Sequence, residues 1–312
     1  MASTSKVHPF PSTVPSWASF FSPREITDFH RMIGAELRAR GLQAPASWGQ
    51  SILVLTGGGE RVDLGALARI CHDHPTRRWP AVIARSFDRL LEARLDPGEL
   101  LGRLRDFEAV RARIKVRIHA AGATAPDEAL LTRPIAEGLV GLVVCDLDVA
   151  NVAVPRAQAR RWGQEPEALW SLAIENLRAE PRLQVARGPT RGDRAVDMLA
   201  GETPYASSHL LFFDDYFRGN PRYGALITVP HRHVILRHVI RDEGVLSVVP
   251  FLLATTVDAY ECGPGPISTR IYWWRPEGRI ELLPIREVQG AVLITPSRAL
   301  QAEVLDPILR GG

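Results

Sequence analysis

The chain of 312 residues is poor in the residue types that would assign it to several common classes of protein. It has three cysteines, Cys71, Cys145 and Cys262, which lie far apart and form no CxxC pair. This spacing argues against a disulfide framework and a cysteine zinc site, and it favours a reducing compartment. Lys6 and Lys115 are the only lysines, so nearly all of the basic charge comes from arginine.

Long apolar runs are also missing. No run approaches the roughly 18 apolar residues that a membrane span needs. The most apolar windows, residues 138–154 and 244–257, are interrupted by Asp or Pro and predict a buried strand and a core helix. Residues 1–17 lack the basic start and apolar core of a signal peptide. We therefore expect a cytoplasmic protein without membrane contact, with residues 1–20 forming a flexible arm.

Length and composition predict an ordered protein with more than one domain. A hydrophobic content of 46% is ample for buried cores, and 312 residues exceed the usual size of one domain. Helical and strand patterns are intermixed, which predicts an α+β fold. We expect a small N-terminal α-β-β-α-α unit over residues 21–108, a larger antiparallel-rich α+β domain over residues 109–286, and a C-terminal extension over residues 287–312.

Local signals mark several of these elements. Ser22, Pro23 and Glu25 form a capping box with proline at the first helical position, and Gly41 is placed to end that helix. Alternating apolar residues in neighbouring segments predict antiparallel strand pairs. The predicted strand pairs are residues 183–186 with 195–199, 225–229 with 234–240, and 267–274 with 279–283. Residues 162–177 predict a loop followed by an amphipathic helix with Glu165, Pro166 and Glu167 at its start, and further helices are predicted at residues 205–213 and 242–260.

Four segments, taken in order, resemble a known family. They are Trp162-Gly163 through Asn176-Leu177, Tyr205-Ala206-Ser207-Ser208 followed by Leu210-Leu211, the run GALITVP over residues 224–230, and Pro266-Ile267-Ser268 leading to Tyr272. Together they resemble the YtpQ-like family of bacterial proteins of unknown function, over roughly residues 110–285. The chain departs from the family at Pro230-His231-Arg232-His233, where relatives tend to have an Arg-Asp pair. The resemblance implies a related fold and a cytoplasmic protein, and it implies no reaction.

Histidines offer one candidate for chemistry. His231 and His233 share a face if the segment is a strand, whereas His238 falls on the other face. Two imidazoles at that spacing bind a metal when a carboxylate joins them, and Asp214 or Asp215 could supply it. The alternative is the polar face of an edge strand, and no metal or cofactor is our first expectation.

Serine and cysteine chemistry is a further alternative. Ser207, Ser208 and His209, with an aspartate nearby, are the residue types of a hydrolase. Adjacent serine and histidine side chains rarely aim at each other along a helix, and no GxSxG turn is present. Polar residues at a helix start explain the serines as well, and Cys145 lies in an apolar strand pattern that predicts an inert thiol.

A nucleic-acid surface formed by arginines is another alternative. The isoelectric point of about 9.0 favours it, whereas the net charge is only +3. The richest basic stretch is residues 103–117. Within it Ile114, Val116 and Ile118 alternate with basic residues, which predicts a half-buried strand with its charges turned outward. No aromatic residue is interleaved for base stacking, so nucleic-acid binding is not the leading interpretation.

Tyr272, Trp273 and Trp274 form an aromatic cluster in a predicted hairpin. Consecutive strand residues point to opposite faces, so one face could be core and the other an exposed surface for a partner. Our leading hypothesis is a non-catalytic protein that acts as an adaptor or regulatory component through protein–protein contacts, without catalytic residues. A metal-dependent or hydrolytic enzyme using the His231 and His233 region is the first alternative, and arginine-mediated nucleic-acid binding is the second.

Overall fold

The computed structural model describes residues 14–42, 48–54, 61–92, 102–122, 129–147, 150–188, 195–288 and 291–310. It divides into two compact units, Met1–Asp96 with Asp148–Ala150, and Pro97–Leu147 with Asn151–Gly312. Each strand pair whose register the structure describes is antiparallel. The predicted antiparallel-rich α+β fold is therefore confirmed, whereas the finer domain boundaries stay a prediction.

The N-terminal unit has the order α-β-β-α-α. Its elements are α1 (Pro23–Ala39), β1 (Ile52–Val54), β2 (Arg61–Asp63), α2 (Leu64–His72) and α3 (Trp79–Glu92). β1 and β2 form a two-stranded sheet. Two further sequence predictions lie outside the described residues: a hairpin turn at the glycine triplet of residues 57–59, and a helix start at residues 96–99 with Asp96 as its cap.

Helix α1 shows why this unit folds as its sequence predicts. The backbone N–H of Ser22 donates to Glu25 Oε2 at 2.8 Å, and that of Glu25 donates to Ser22 Oγ at 3.3 Å, which completes the capping box. Gly41 adopts a positive φ of 69° and ends the helix. The apolar stripe along α1 is buried in the core of the unit, as are Ala18 and Phe21. The expectation of a flexible arm is thus wrong for residues 14–20, which pack on this core.

The second unit begins with a four-stranded sheet and three helices. The elements are α4 (Phe107–Val110), β3 (Ile114–Ala120), β4 (Thr132–Ala136), β5 (Leu139–Leu147), β6 (Ala150–Ala153), α5 (Arg156–Arg161) and α6 (Pro166–Arg178). In the sheet, β3 and β4 flank β5, and β6 also pairs with β5. Asn176, near the end of α6, donates from Nδ2 to the carbonyl oxygens of Arg111 at 2.9 Å and Ile114 at 2.8 Å. These bonds tie the end of α6 to the start of β3.

A six-stranded sheet forms the other half of this unit. Its strands are β7 (Gln184–Arg187), β8 (Asp197–Ala200), β9 (Ala225–His231), β10 (Val234–Val239), β11 (Ile271–Trp274) and β12 (Ile280–Leu282), in the order β12-β11-β9-β10-β8-β7. The central strands β9, β10 and β11 are covered on both faces, whereas the edge strand β7 is exposed. One face of the central strands meets the long helix α7 (Gly244–Cys262) and the C-terminal helical segment, and the other meets the 3₁₀ segment Ala206–Tyr216 together with residues of β3 and β5.

The C-terminal residues are part of this core. Leu300, Val304 and Leu305 are buried in the same apolar cluster as the inward face of α7. The predicted extension therefore does not behave as an appended tail. It comprises β13 (Ile285–Val288), β14 (Ala291–Ile294), α8 (Arg298–Leu300), a π-helical turn Gln301–Leu305 and α9 (Asp306–Arg310).

Candidate functional site

The histidines proposed as metal ligands lie at a tight hairpin turn. His231 ends β9, and Arg232 and His233 form the two-residue turn into β10. His233 Nδ1 lies 3.0 Å from the carbonyl oxygen of Gly201, which can only accept, so this nitrogen carries the proton. His233 Nε2 then accepts from Arg232 Nε at 3.1 Å. Both ring nitrogens of His233 are thus occupied by protein groups.

The carboxylates expected to join these histidines are elsewhere. Asp215 forms an ion pair with Arg178, and its carbonyl oxygen accepts from Arg182 Nη2 at 2.6 Å. Asp214 is an exposed residue of the 3₁₀ segment. Within the described residues, no group of three or more His, Cys, Asp or Glu side chains could hold a metal ion. The structure does not assemble the candidate set of His231, His233, Asp214 and Asp215.

Burial of His231 should make the stability of the fold depend on pH. Burial, with the neighbouring His233 and Arg232, lowers its pKa from 6.5 to about 3. Between these pH values the unfolded chain binds a proton that the folded chain excludes, so stability is lost as the pH falls from 6.5 towards 3. We expect this histidine to contribute about 1.4 kcal/mol per pH unit to the fall in the free energy of unfolding. Urea titrations at pH 6.5, 5.5 and 4.5 measure it.

His231→Asn is the matched variant, since its side-chain oxygen can still accept the His233 N–H that His231 Nδ1 accepts at 3.3 Å. The free energy of unfolding of His231→Asn should fall less steeply with decreasing pH than that of the wild type, by about the contribution of one proton. His74→Asn replaces an exposed histidine and serves as the control. An unchanged slope in His231→Asn would show that this ring does not titrate as argued.

The hydrolase candidates do not converge either. Ser208 Oγ accepts the backbone N–H of Ile118 at 3.3 Å, which ties the 3₁₀ segment to β3. His209 Nδ1 lies 2.6 Å from the hydroxyl of Tyr216, so the ring is held by that tyrosine. Burial lowers the pKa of His209 to about 4 and raises that of the Cys145 thiol to about 12. A buried neutral imidazole and a protonated thiol are not an activated nucleophile and base.

A polar cluster that the sequence did not reveal lies at the carboxyl end of β5. Lys115 Nζ lies 2.9 Å from Asp146 Oδ2 and 2.5 Å from Glu180 Oε1. The same ammonium group lies 4.5 Å from the ring centroid of Tyr205. The Tyr205 hydroxyl donates to Asn151, and burial raises the pKa of Tyr205. These groups join distant segments of the chain, and none is poised to attack a substrate.

This cluster also bears on nucleic-acid binding. Lys115 is one of the basic residues in the stretch at residues 103–117. Its ammonium group is half-buried and paired with two carboxylates, so it is not presented to a phosphate backbone. The alternation predicted from Ile114, Val116 and Ile118 is present, since all three are buried. The strand pattern therefore explains much of the stretch without a nucleic-acid ligand.

The aromatic cluster is buried on both faces of the sheet. Trp273 packs in the apolar cluster that contains α7, whereas Tyr272 and Trp274 pack in the cluster on the opposite face. None of the three exposes more than 3% of its surface. The expected exposed aromatic surface is therefore wrong for this strand, because a second layer covers each face of the sheet.

Helix α7 has three exposed large apolar side chains, more than any other single element in the described part of the chain. Leu246, Phe251 and Val257 are 41%, 39% and 37% exposed, and Pro250 and Ala254 are also exposed between them. The opposite side of α7 is fixed in the core by Val245, Val248, Val249, Leu252 and Thr256. The polar residues Ser247, Asp258 and Glu261 of this helix are exposed as well. We call the five exposed apolar residues, Leu246, Pro250, Phe251, Ala254 and Val257, the outer face.

Helix α7 is also the one helix in the described part of the chain that is long and apolar enough to cross a membrane. That criterion uses length and composition alone, and core helices of soluble proteins also meet it. Here Thr256 Oγ1 donates to the carbonyl oxygen of Leu252 at 2.6 Å and accepts from Thr228 Oγ1 at 3.0 Å, which links α7 to β9 within the buried core. The helix is thus weak evidence for a membrane span.

A small apolar cavity lies beside Leu246, at one end of the outer face. Val245 and Val249 of the same helix also line it. The other lining residues are aliphatic as well: Leu226, Ile240, Leu283, Ile294, Leu300, Val304 and Leu305. Most of them are buried in the apolar cluster around α7, so the cavity is a packing feature of this core.

The fold and these surfaces define an antiparallel α+β protein whose polar clusters serve folding and whose longest helix exposes an apolar face. No protein-family model, curated protein or solved structure matches the chain in comparisons. The resemblance of residues 110–285 to the YtpQ-like family accordingly stays a prediction.

Proposed function

We propose that this is a non-catalytic protein that binds another protein through the outer face of α7, and so acts as an adaptor or regulatory component. The observation that carries the proposal is the exposure of Leu246, Phe251 and Val257 on one helix whose opposite side is held in the core. A contiguous apolar surface of this kind is a common mark of an interaction site. A cytoplasmic location and membership of the YtpQ-like family of bacterial proteins belong to the same proposal.

The hydrogen bonds and ion pairs of the buried polar side chains favour this proposal over a role as an enzyme. His233, His209 and Lys115 each bind a neighbouring protein group in a way that stabilises the fold. Perturbed pKa values mark both active sites and structural networks. Here burial lowers the histidine pKa values and leaves neutral rings without a nearby nucleophile to activate, which favours the structural explanation.

The test compares matched surface variants of the full chain in binding to partners from native lysate. Leu246→Gln/Phe251→Gln/Val257→Gln removes the apolar surface while keeping a good helix former at each position. Val185→Gln/Met198→Gln removes exposed apolar side chains from β7 and β8 and is the control. We expect a stoichiometric partner whose affinity falls at least about tenfold in the α7 variant and is unchanged in the control.

Thermal unfolding of the wild type and of both variants must be measured together with binding. Because the substituted side chains are exposed, we expect all three proteins to stay folded. A partner that binds both variants equally would refute the assignment of the site to α7. Turnover of a substrate by the purified protein would refute the non-catalytic part of the proposal.

A further inference from the structure

Strand β7 is the open edge of the six-stranded sheet. All of its residues, Gln184–Arg187, are exposed, whereas the residues of β12 at the other edge are half-buried. Val185 exposes 52% of its surface. An edge strand has a row of backbone N–H and C=O groups that its own sheet does not use, so it can accept a further strand from another chain.

The pairing of β7 with β8 shows which backbone groups of β7 point outward. The N–H of Gly188, just after β7, donates to the carbonyl oxygen of Val196 at 2.8 Å, so it points towards β8. Residues alternate in direction along an antiparallel pair, so Ala186 also points towards β8, whereas Val185 and Arg187 point away from it. In the described part of the chain, neither Val185 nor Arg187 makes a backbone hydrogen bond outside this strand pair.

The open row of backbone groups is short. Leu183 is the next outward-pointing residue, and its N–H donates to the hydroxyl of Tyr216 at 3.1 Å, which closes the row at that end. The open groups are therefore the N–H and C=O of Val185 and of Arg187. They can pair with three successive residues of an added strand, of which the first and the third form hydrogen bonds.

Three rows of side chains cross β10 and β8 and end at β7. The rows are Ile235 with Leu199 and Val185, Leu236 with Met198 and Ala186, and Arg237 with Asp197 and Arg187. Directly opposite residues of neighbouring strands share a face of the sheet and interact. An added strand places one residue at the end of each row, so the rows indicate which residue types fit there.

The charged row favours an acidic residue. Asp197 Oδ2 accepts from Arg237 Nε at 3.2 Å and from Arg237 Nη2 at 2.7 Å, so this carboxylate is already paired. Arg187 is exposed, and its side chain makes no ion pair or hydrogen bond within the described residues. An acidic residue opposite Arg187 extends the alternation of cation and anion along the row.

Other charged residues near β7 leave this guanidinium group available. Arg182, before the strand, donates to the carbonyl oxygen of Asp215 at 2.6 Å. Glu202 follows the opposite end of β8, away from Arg187. Residues 189–194, which connect β7 to β8, contain two arginines and one aspartate, so they add no excess of negative charge.

The two apolar rows favour apolar residues. Leu199 is fully buried and its row ends at the exposed Val185, so a β-branched residue beside Val185 continues the row. On the other face Met198 is 40% exposed, and the small Ala186 lies between it and the edge. A large apolar side chain beside Ala186 can therefore extend over it towards Met198.

We propose that β7 is a docking site for an extended segment of another protein, which adds an antiparallel strand and carries an acidic, a large apolar and a β-branched residue in that order. In this orientation the acidic residue lies opposite Arg187, the large apolar residue opposite Ala186 and the β-branched residue opposite Val185. The site belongs to a different element from the outer face of α7, so it is independent of the proposed function.

A second copy of β7 fits this edge less well than such a segment. Pairing Val185 with Arg187 of a second copy leaves both guanidinium groups without an anion. Pairing Arg187 with the same residue of a second copy places like charges opposite each other. Pairing Val185 with the same residue requires the N–H of Leu183, which already donates to Tyr216.

Peptides that lack one backbone N–H test the strand pairing directly. The probe is the labelled peptide Thr-Thr-Glu-Phe-Val-Thr-Thr, blocked at both ends. A methyl group on the valine nitrogen removes the N–H that the carbonyl oxygen of Val185 accepts, whereas the phenylalanine N–H points away from β7. Fluorescence anisotropy with the full chain should show one peptide per chain. The N-methylvaline peptide should bind at least about tenfold more weakly, and the N-methylphenylalanine peptide nearly as well as the parent.

Variants of the chain test the same contacts from the other side. Val185→Pro removes an outward N–H without removing a bond to β8, and edge strands tolerate such a proline, so the fold should be kept while peptide affinity falls at least about tenfold. The wild type should prefer the peptide with glutamate over the same peptide with glutamine by about twofold to fivefold at low salt. Arg187→Gln should lose this preference, and Arg160→Gln, which removes an exposed arginine of α5, should keep it.

The two proposed sites can be told apart with a variant already described. Val185→Gln/Met198→Gln keeps every backbone group of β7 but loses two exposed apolar side chains. It should bind the peptide more weakly than the wild type does, and it should still bind a partner of the outer face. The Leu246→Gln/Phe251→Gln/Val257→Gln variant should bind the peptide as the wild type does.

Several results would overturn the inference. They are no binding of the parent peptide, equal binding of the two N-methyl peptides, undiminished binding by a folded Val185→Pro variant, and equal binding of a peptide with the order Val-Phe-Glu. A glutamate preference that is absent in the wild type, or that survives in Arg187→Gln, would refute the acidic position. Self-association of the chain that Val185→Pro abolishes would identify a second copy as the occupant. If Val185→Pro does not fold, the N-methyl peptides still decide the outcome on the wild type.

Discussion

Replacing Gly224 by alanine is expected to unfold the second unit under conditions where the wild type is folded. Gly224 has a φ of +73°, and a Cβ atom there would lie 2.1 Å from the carbonyl oxygen of Trp274. Neither the rigid backbone of β11 nor the buried Trp273 beside it can move away without breaking the sheet. The cost should be about 4 kcal/mol or more, which is a large part of the stability of a typical domain. Urea unfolding followed by circular dichroism measures it.

Gly219→Ala is the matched control for this prediction. Gly219 has a similar φ of +80°, but a Cβ atom there would meet nothing within 4 Å. Its cost should be limited to the backbone conformation, about 1–2 kcal/mol. Equal destabilisation of the two variants would mean that the conformation, and not the close approach to Trp274, determines the effect.

Lys115→Met should produce the second large effect. The methionine keeps the apolar stem that packs in the unit, but it leaves Glu180 and Asp146 without the cation that binds both. Removing one partner of a buried ion pair is strongly destabilising, because an uncompensated charge remains. We expect a loss of about 3 kcal/mol in the free energy of unfolding, allowing for the partial exposure of Asp146.

The double variant Lys115→Met/Glu180→Gln tests the cause, since it removes the stranded carboxylate as well. It should recover part of the stability lost in Lys115→Met. No recovery would point to lost packing of the lysine stem as the main cause.

The ion pairs of Lys115 with Glu180 and Asp146 also predict that the stability of the fold falls at alkaline pH. Burial alone would lower the pKa of Lys115, but the hydrogen bonds that its ammonium group donates to Glu180 and Asp146, together with the attraction of their charges, outweigh burial, so the pKa is raised above 10.5. The stabilisation is therefore complete below 10.5 and is lost as the pH rises through the higher pKa of the folded state.

The sequence predicts the regular elements well where local chemistry determines them. The capping box at Ser22 and the glycine at position 41 mark the two ends of α1, and both work as expected. The sequence predicts a polar loop between strands at residues 112–120 and 138–147, and so misses β4, which contains Pro134 and is only half-buried and therefore lacks the usual alternation. The helix predicted at residues 205–213 is instead part of the 3₁₀ segment Ala206–Tyr216, which is interrupted at Phe212.

Candidate sites are harder to predict, because they depend on contacts between distant residues. Lys115 and Glu180 are 65 positions apart, and no local pattern indicates that they pair. The alternation of Tyr272, Trp273 and Trp274 was interpreted correctly, yet their exposure was not, since a sheet covered on both faces leaves no outer side. The apolar pattern of α7 predicted a core helix and could not show which side the core would leave uncovered.

The C-terminal segment has a consequence for how the chain matures on the ribosome. Leu300, Val304 and Leu305 complete the apolar cluster around α7 and Trp273, so that cluster cannot close until residues 298–310 have emerged from the exit tunnel. The core of the N-terminal unit lies within the first 90 residues and is complete long before. Nascent chains that stall before position 298 would therefore present a finished first unit and an open second one, a form suited to capture by chaperones and proteases.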